Sequence, residues 1–528
     1  MNHPSRAVAR SQRGMVASPH PLATAAGVDV LRRGGNAVDA AIAANVVLAV
    51  VYPASNGIGG DALWLLYEPR THETIAYNGS GYAAAALDAA TVRALGHSQM
   101  PKRGALTVTT PGCVRAWEDV ARAHGTLGLD ELLAPAEAFA REGYVVTDVV
   151  AKSFVTNEAL LRNDPGSSEL FFSRGVPRSG DIVRNESLAA TLGAIRRDGS
   201  RAFYEGEVAA AICATLAALG NPMTPVDLAA QRTQRMAPLS IPWHGCEVVA
   251  HPPNSQAAIA LMALGALAGD RDASDLDWTH LAIEALKDAF DCRDARFADP
   301  YAMRESIGDL LTPAALAAAR ARIDPMRARR RLSPVDTGGT IAVVAVDGEG
   351  RAVSLIESLY MGFGSGIVAR GTGIVLHNRG AHFRLEDGHP NVLAGRKRPL
   401  HTLSPGMLLR GGKPEFVYGT MGGDGQPQTH VQLIHAIYDR EMSVQAAVDA
   451  PRFVYGRANE GVFDDSVRVE ARFDPAVVAG LRARGHIVDI VEPYDYAMGH
   501  AHGIVIDQQR GTFSGGADPR ADSLALGY

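Results

Sequence analysis

The sequence predicts a mixed α and β fold built around a covered central sheet. Residues 341–346 form a nearly continuous apolar run, which is typical of a strand packed on both faces. Residues 129–142, 205–219 and 278–294 carry apolar side chains at three- and four-residue spacing, which predicts amphipathic helices. A covered sheet together with helices of this kind favours layers of helices packed against sheet.

The composition fits a soluble globular chain with a large core. Of the 528 residues, 47% are hydrophobic and 20% are charged. The net charge of -6 argues against nucleic acid as an obligate partner, because phosphate binding usually needs a basic surface. The apolar run 38–51 contains Asp39 and Asn45 and is too short to span a bilayer, so no membrane is expected as a partner.

The cysteines and the N-terminus bear on the cellular compartment. Cys113, Cys213, Cys246 and Cys292 form no CxxC pattern, and their spacing predicts neither a zinc site nor a disulfide framework. Free thiols in a reducing compartment are the favoured interpretation. Residues 1–13 are polar and basic with no apolar stretch behind them, so no secretory signal is predicted and a cytoplasmic location is expected.

The first elements are predicted from caps and glycines. Residues 20–33 predict a helix that ends at Gly34-Gly35, and Asn36 caps the next helix. The glycine-rich stretch 57–61 could suggest a phosphate loop, but a strand pattern over 62–67 follows it rather than a helix. We therefore expect these glycines to let the backbone approach the core or an active site. Residues 71–77 predict a further strand.

A run of arginines within 316–331 has two interpretations. It could bind an acidic partner, or it could be a solvated helix end that leads into the linker 332–339. The second interpretation is favoured, and exposure of the linker would suit a cleavage site.

The chain is organised around a predicted β-hairpin over residues 340–358. Two strand patterns flank Gly348-Glu349-Gly350, and Gly338-Gly339 precede Thr340. A threonine at the start of a strand is ordinary by itself. However, flexible glycines would let the Thr340 hydroxyl reach the carbonyl of Gly339. Cleavage there would give Thr340 a free α-amine beside its hydroxyl, which makes a nucleophile with its own base.

Segment 340–368, with Ser358 and the stretch 363–368, resembles the processing and catalytic segment of the gamma-glutamyltransferase family, a group of N-terminal nucleophile hydrolases. The resemblance covers nearly the whole chain, including residues 27–41, 57–61, 399–405, 420–424, 450–453, 516–520 and 527–528. It implies an α+β fold of the αββα four-layer type. It also implies cleavage between Gly339 and Thr340 into subunits 1–339 and 340–528, which together form one structural domain and could assemble as a homodimer of heterodimers.

The resemblance assigns roles to three further residues. Ser358 would support the nucleophile, although it replaces the family's threonine and could be an ordinary strand serine. Gly422 and Gly423 would supply backbone N–H groups to an oxyanion hole, although a simple turn is the alternative. No cofactor and no metal is expected, because Thr340, its amine and backbone donors suffice. The usual Thr-Thr-His is here Thr340-Ile341-Ala342, which leaves open an uncleaved, inactive relative that acts as a binding protein.

The predicted substrate pocket departs from the transferase pattern. Ser80 stands where those members hold an α-carboxylate with arginine, and His382 stands where an acidic residue holds the α-amine. The family's paired serines become His401-Thr402, and its asparagine becomes Tyr360. These departures count against the alternative of a gamma-glutamyl transferase or hydrolase acting on glutathione-type compounds.

Arg379, with His382 and His401 as potential cations, would suit a small amide that bears a carboxylate and no α-amine. Such a substrate resembles those of oxamate amidohydrolase-like and acylase-like members. The structural alternatives are an ion pair for Arg379 and hydrogen-bonded loop positions for the histidines.

Two other motifs are set aside. The stretch 362–366 mimics part of a dinucleotide fingerprint, but strand and turn patterns follow it rather than a helix. His500 and His502 could share one strand face, but no carboxylate or thiol cluster lies near them in sequence, so a zinc site is not expected.

Overall fold

The computed structural model describes residues 5–330, 339–456 and 465–528, so the predicted linker 332–339 lies outside the described residues except for Gly339. The α-helices are, in chain order, α1 Pro21–Arg32, α2 Ala37–Val51, α3 Ala89–Ala94, α4 Cys113–His124, α5 Leu129–Leu132, α6 Ala134–Glu142, α7 Asp148–Thr156, α8 Glu158–Arg162, α9 Pro165–Phe172, α10 Glu186–Asp198, α11 Arg201–Tyr204, α12 Gly206–Ala218, α13 Pro225–Ala229, α14 Ala258–Ala266, α15 Asp275–Arg296, α16 Pro313–Ala321, α17 Gly425–Ile434, α18 Val444–Asp449 and α19 Pro475–Ala483.

The strands are, in chain order, β1 Ala9–Ser11, β2 Gly14–Ser18, β3 Asp61–Glu68, β4 Glu73–Gly79, β5 Tyr144–Val145, β6 Ile182–Val183, β7 Gln234–Met236, β8 Leu239–Trp243, β9 Cys246–Ala250, β10 Gly339–Asp347, β11 Ala352–Tyr360, β12 Val368–Ala369, β13 Ile374–Val375, β14 Gly406–Arg410, β15 Lys413–Thr420, β16 Phe453–Tyr455, β17 Ser466–Glu470, β18 Ile487–Val491, β19 Ala501–Asp507, β20 Thr512–Ala517 and β21 Leu524–Gly527.

Two seven-stranded antiparallel sheets form the centre of the molecule. Sheet I has the order β21-β2-β10-β11-β3-β4-β7, and sheet II has the order β1-β20-β19-β15-β14-β9-β8. The predicted hairpin is β10–β11, in the middle of sheet I. Both sheets combine strands from before and after the Gly339–Thr340 peptide, so neither is complete without both parts of the chain.

The packing confirms the predicted αββα order. An apolar cluster between the sheets joins side chains of both, among them Met15, Val344, Met407 and Val417. Helices α2 and α4 pack on the outer face of sheet I, and α14, backed by α15, packs on the outer face of sheet II. Every residue of α2 is buried, which explains why its sequence is apolar on all sides apart from Asp39 and Asn45.

The caps predicted for the first two helices are confirmed. Helix α1 ends before Gly34, which has φ +96. The Asn36 side chain accepts from the N–H groups of Val38 and Asp39, and Asp39 returns a bond to the Asn36 N–H. This capping box fixes the start of α2.

Two helix predictions need correction. The helix predicted over 129–142 is divided into α5 and α6, because Pro135 tolerates only the first turn of a helix. The helix predicted over 316–331 ends at Ala321, shortly before Asp324-Pro325, since a residue that precedes proline disfavours the helical region.

The arginine run pairs with acidic groups of the same chain. The ion pairs are Arg320–Asp270 at 2.9 Å, Arg322–Asp288 at 2.6 Å, Arg329–Asp291 at 2.6 Å and Arg330–Asp465 at 3.5 Å. These arginines therefore belong to a solvated, internally paired surface, and Arg331 lies outside the described residues.

The glycines of the stretch 57–61 make close backbone contacts, as predicted. A Cβ on Gly59 would lie 2.1 Å from the carbonyl oxygen of Val375, and one on Gly60 would lie 2.6 Å from that of Ser358. Strand β3 follows directly, so the phosphate-loop interpretation is wrong.

Within the described ranges, no helix is both long and apolar enough to cross a membrane. The four cysteines are free, and only Cys292 among them is partly exposed.

Candidate active site

Thr340 lies at an irregularity in the register of the hairpin. Gly339 pairs with Tyr360, whereas Ile341 pairs with Glu357, so Thr340 on β10 lies opposite two residues on β11, Ser358 and Leu359. The extra residue is therefore on β11, and a β-bulge of this kind bends the strand that contains it and re-aims side chains such as that of Ser358. Thr340 is only 1% exposed, so its hydroxyl points into the protein.

Ser358, near the end of β11, connects the Thr340 hydroxyl with the preceding peptide. Thr340 Oγ1 donates to Ser358 Oγ at 3.1 Å, and Ser358 Oγ donates to the carbonyl oxygen of Gly339 at 2.5 Å. The N–H of Tyr360 donates to the same serine oxygen at 2.6 Å. Because that oxygen already accepts twice, its own proton is directed at the Gly339 carbonyl.

Gly422 and Gly423 lie at the same end of the sandwich as Thr340. Gly419, near the end of β15, packs so closely on the hairpin that a Cβ there would lie 2.6 Å from Ile356 and 3.0 Å from Ala342. Gly422 comes three residues after Gly419, just beyond the end of β15, and Thr340 comes two residues before Ala342 on β10. The loop after β15 therefore extends towards the bulge.

The backbone of this loop needs its glycines. Gly422 has φ +131 and Gly423 has φ +56, which are conformations that other residues rarely adopt. Their carbonyl groups accept from the N–H groups of Gly425 at 2.8 Å and Gln426 at 3.2 Å, at the start of α17. Among the described residues, no backbone carbonyl accepts from the N–H of Gly422 or Gly423.

Arg379, Thr402 and Tyr360 come together beside the end of β11. Arg379 begins a 3₁₀ turn, Arg379–His382, and is 1% exposed. Its Nη2 donates to Thr402 Oγ1 at 3.1 Å, and its guanidinium carbon lies 3.9 Å from the centre of the Tyr360 ring. Because the N–H of Tyr360 binds Ser358, the guanidinium is connected with the hydroxyl pair through this tyrosine.

Tyr360 has φ +77, which an aromatic residue seldom adopts. This left-handed residue is the last of β11, and its ring contacts the guanidinium of Arg379. Strained backbone of this kind concentrates at functional sites.

The expectation that His382 adds positive charge to the pocket is wrong. Its Nδ1 lies 3.1 Å from the carbonyl oxygen of Leu400, and its ring meets Tyr360 edge-on at 4.7 Å. Burial and then the charge of Arg379 hold the pKa of His382 well below its usual value. His382 is therefore neutral near pH 7.

The same correction applies to His401. The Leu403 N–H donates to His401 Nδ1 at 3.3 Å, so Nε2 carries the proton and donates to Asp61 Oδ2 at 3.2 Å. Burial and then the charge of Arg379 lower the pKa of His401 to about 3. Arg379 thus supplies the positive charge of the predicted binding group.

Asp61 is a site residue that the sequence interpretation missed. It pairs with Ser358 across β3 and β11, and it is fully buried. Burial opposes its ionisation, but the ring nitrogens of His377, at 3.4 Å, and His401, at 3.2 Å, hold the pKa of Asp61 well below its usual range. The available signal was its place directly after the close-packed glycines of the stretch 57–61.

Ser80 belongs to a closed polar network. Its hydroxyl donates to Asn78 Oδ1 at 2.7 Å and accepts from Asn254 Nδ2 at 3.2 Å. The Ser80 carbonyl accepts from Arg398 Nε at 2.9 Å. The side chain at position 80 is therefore fixed by amides and supplies no positive charge.

His500 and His502 are both buried, and burial lowers their pKa values to about 3 and about 4 respectively. Across the part of the chain that the structure describes, no group of three or more His, Cys, Asp or Glu side chains could hold a metal ion.

Known proteins are similar to this chain in sequence and in fold. Residues 23–528 match the family profile described as Gamma-glutamyltranspeptidase. The "Glutathione hydrolase-like YwrD proenzyme" of Bacillus subtilis is 38% identical, with 97% of this chain and 98% of that protein covered. The "Oxamate amidohydrolase proenzyme" of Klebsiella pneumoniae is also 38% identical, with 98% and 99% covered.

A solved structure agrees in detail with the fold. The cephalosporin acylase from Bacillus halodurans superposes with a TM-score of 0.94 at 36% identity, over 100% of this chain and 98% of that one. The profile match spans nearly the whole chain, and the relatives match end to end. The chain therefore belongs to the gamma-glutamyltranspeptidase family.

Proposed function

We propose that the protein is a self-processing N-terminal-threonine amidohydrolase that cleaves a small, carboxylate-bearing amide. One observation carries the proposal: Ser358 Oγ contacts both the Thr340 hydroxyl, at 3.1 Å, and the carbonyl oxygen of Gly339, at 2.5 Å. A nucleophilic oxygen and the carbonyl next to it thus share one hydrogen-bond donor. Relatives named as hydrolases and amidohydrolases support amide hydrolysis as the reaction class.

Self-cleavage would begin with attack of Thr340 Oγ1 on the Gly339 carbonyl carbon. Ser358 stabilises the negative charge that develops on the carbonyl oxygen. The C–N bond breaks, the amine of Thr340 takes up a proton, and water then hydrolyses the resulting ester. The products are residues 1–339 and residues 340–528.

The fragments would remain associated after cleavage. Sheet I joins β2, β3, β4 and β7 of the first fragment with β10, β11 and β21 of the second. Separation would expose the apolar clusters on both faces of that sheet, which is strongly unfavourable. The two fragments therefore act as one structural domain.

In the mature enzyme, the hydroxyl of Thr340 attacks the carbonyl carbon of the substrate amide and gives its proton to the freed α-amine. The substrate C–N bond then breaks, the leaving amine takes up that proton, and an acyl-enzyme ester remains. The freed α-amine has a reference pKa of about 8, so it serves as the base near neutral pH. The N–H groups of Gly422 and Gly423 stabilise the oxyanion, and water completes the hydrolysis. The reaction needs no cofactor and no metal.

Substrate choice would depend on Arg379. Thr402 and the Tyr360 ring hold its guanidinium, and the N–H of the same tyrosine donates to Ser358 of the hydroxyl pair. A planar guanidinium suits a carboxylate. His382 is neutral and Ser80 is bound to amides, so neither replaces the charged groups that a gamma-glutamyl substrate needs.

The test compares oxamate with its neutral analogue oxamide and with glutathione. A charge-assisted hydrogen bond contributes roughly 1.5–3 kcal/mol, which corresponds to about ten- to a hundredfold in rate. Arg379→Ala should lower kcat/KM for oxamate by about that factor, leave oxamide turnover unchanged and leave self-cleavage intact. Arg370→Ala removes an exposed arginine and serves as the control.

Two outcomes would contradict the proposal. Efficient turnover of glutathione by the wild type would favour a gamma-glutamyl transferase or hydrolase instead. An intact chain that turns over none of these amides would favour an uncleaved binding protein.

A further inference from the structure

Gln256 carries a buried side chain that contacts two separate parts of the site. Its Nε2 lies 3.0 Å from the carbonyl oxygen of Gly423 and 3.2 Å from that of Thr402. Gly423 belongs to the predicted oxyanion loop, and Thr402 holds Arg379. One amide thus touches both the loop that would stabilise the oxyanion and the loop that would bind the carboxylate.

Arg293 fixes the orientation of this amide. Arg293 Nη1 donates to Gln256 Oε1 at 2.7 Å and to Asp424 Oδ1 at 2.5 Å. Since a guanidinium can only donate, the atom that it contacts on Gln256 must be the oxygen. The opposite atom is therefore the amide nitrogen, which donates to the two carbonyl groups.

The oxyanion loop is held at two consecutive residues by this pair. Gln256 binds the carbonyl of Gly423, and Arg293 binds the carboxylate of Asp424. The carbonyl of Gly423 shares a rigid peptide plane with the N–H of Asp424, so Gln256 fixes that plane directly. The N–H of Gly423 lies in the preceding plane and is restrained through the backbone dihedrals of Gly423, which join the two planes. Arg293 is itself held by Asp294 at 2.7 Å and is 3% exposed.

The backbone around Gln256 is anchored independently of its side chain. The Gln256 N–H donates to the His401 carbonyl at 2.8 Å, and Ser255 Oγ donates to the Leu403 carbonyl at 2.6 Å. The His401 N–H donates to the Asn254 carbonyl at 2.8 Å. A substitution at position 256 can therefore remove the amide without releasing this segment.

We propose that Gln256, oriented by Arg293, is a positioning residue that holds the oxyanion loop and the Arg379–Thr402 pair in register. The proposal rests on the function proposed above and adds a residue to it. Gln256 and Arg293 lie before the cleavage point, whereas Gly423, Asp424, Thr402 and Arg379 lie after it. The first fragment would therefore set the geometry of groups that the second fragment supplies.

The chemistry of the amide makes this role testable. In Gln256→Met the side chain keeps its length but has no donor. In Gln256→Glu the ionised carboxylate still accepts from Arg293 but repels both carbonyl oxygens, whereas the protonated acid regains one donor. The charged or titratable groups that face position 256 include Arg293, Asp294, Asp424 and His401. Contact with Arg293 favours the ionised form of the introduced carboxylate, whereas burial and the nearby Asp424 favour the protonated form.

The experiment measures kcat per active site, titrated by the acylation burst, with oxamate and oxamide. Loss of one oxyanion-hole donor costs roughly 10²–10³ in kcat, and a misplaced donor should cost about ten- to a hundredfold. Gln256→Met should show that loss on both substrates. For oxamate it should also raise KM, because the carbonyl of Thr402 loses one of its two side-chain donors, with only Ser404 left among the described residues, and the Arg379–Thr402 pair is held less firmly. For Gln256→Glu, the ratio of kcat to that of the wild type should rise as pH falls.

The matched control is Gln432→Met. Gln432 lies two turns along α17 from the oxyanion loop and donates to the carbonyl of Phe453. This variant should leave kcat per active site unchanged. Wild-type-like kcat per active site in Gln256→Met would overturn the proposal. Absence of amide turnover in the wild type would instead refute the proposed function, and this inference with it.

Discussion

The two ends of the β10–β11 hairpin are built from different chemistry. At the turn end, Arg351 pairs with Glu68 at 3.0 Å and with Asp347 at 3.1 Å, and all three are buried. At the open end, the neutral hydroxyls of Thr340 and Ser358 lead to the Gly339 carbonyl. At the turn end the charged groups pair with one another, whereas at the open end the hydroxyls contact the peptide bond that is proposed to be cleaved.

This difference separates stability from chemistry along one hairpin. Burial alone would raise the pKa of Glu68, but hydrogen bonds from Arg351 and Arg70 lower it. The turn end is therefore ionised at neutral pH and strongly held. The open end carries two neutral hydroxyls. Removal of either hydroxyl should therefore slow self-cleavage and turnover more than it lowers the free energy of unfolding.

The largest effect is expected from Thr340→Ala. Without the hydroxyl there is no nucleophile for self-cleavage or for turnover, and loss of a nucleophile costs about a millionfold in kcat. The variant should run as one band on a denaturing gel and show no amidase activity. Thr340→Ser keeps a hydroxyl and should still be cleaved. Cleavage of Thr340→Ala at the usual rate would contradict the assignment.

Arg351→Met should have the next largest effect, and it should act on stability. Breaking a buried ion pair by removing one partner costs roughly 3–5 kcal/mol, because the buried carboxylates lose their partner. Urea unfolding of the Thr340→Ala form, which remains a single chain, would measure this loss. Arg510→Met breaks an exposed pair with Asp507 and serves as the control. Normal stability of Arg351→Met would show that the turn end is not the stabilising end.

Ser358→Ala should slow self-cleavage with little change in folding. Removal of one donor to a developing oxyanion costs roughly 10²–10³ in rate. The time course of fragment appearance on a gel gives that rate directly. Ser354→Ala, on the same strand, removes a hydroxyl that binds the carbonyl of Tyr418 and should leave the rate unchanged. Equal rates for Ser358→Ala and the wild type would remove Ser358 from the mechanism.

The smallest effect concerns acid stability, to which neither end of the hairpin should contribute between pH 5 and 7. Burial lowers the pKa of His430 to about 3. Between that value and the unfolded value of about 6.5, the unfolded chain binds a proton that the folded chain does not. The free energy of unfolding should therefore fall as pH drops below about 6.5. His430→Leu should reduce this slope by at most about 1.4 kcal/mol per pH unit. An unchanged slope would contradict the assignment to His430.

The hairpin could be predicted from the sequence because its signals are local. Two apolar runs, a glycine turn and a threonine behind glycines all lie within about twenty residues. The division of the helix at Pro135 was equally local and was missed because apolar spacing continues across the break. The αββα order came from the resemblance, since periodicity does not specify which layers pack together.

The supporting residues could not be predicted, because their partners are distant in sequence. Asp61 and His401 are 340 residues apart, and Gln256 and Gly423 are 167 apart. The neutral state of His382 and His401 could not be predicted for a related reason. A pKa depends on burial and on neighbours such as Arg379, and the sequence displays neither.

The most direct test of the account is the intact mass of the purified wild-type protein together with N-terminal sequencing of its fragments. The account predicts two fragments that co-purify, with the smaller one beginning at Thr340 and ending at Tyr528. A single 528-residue chain that hydrolyses amides, or a small fragment that begins at another residue, would contradict it.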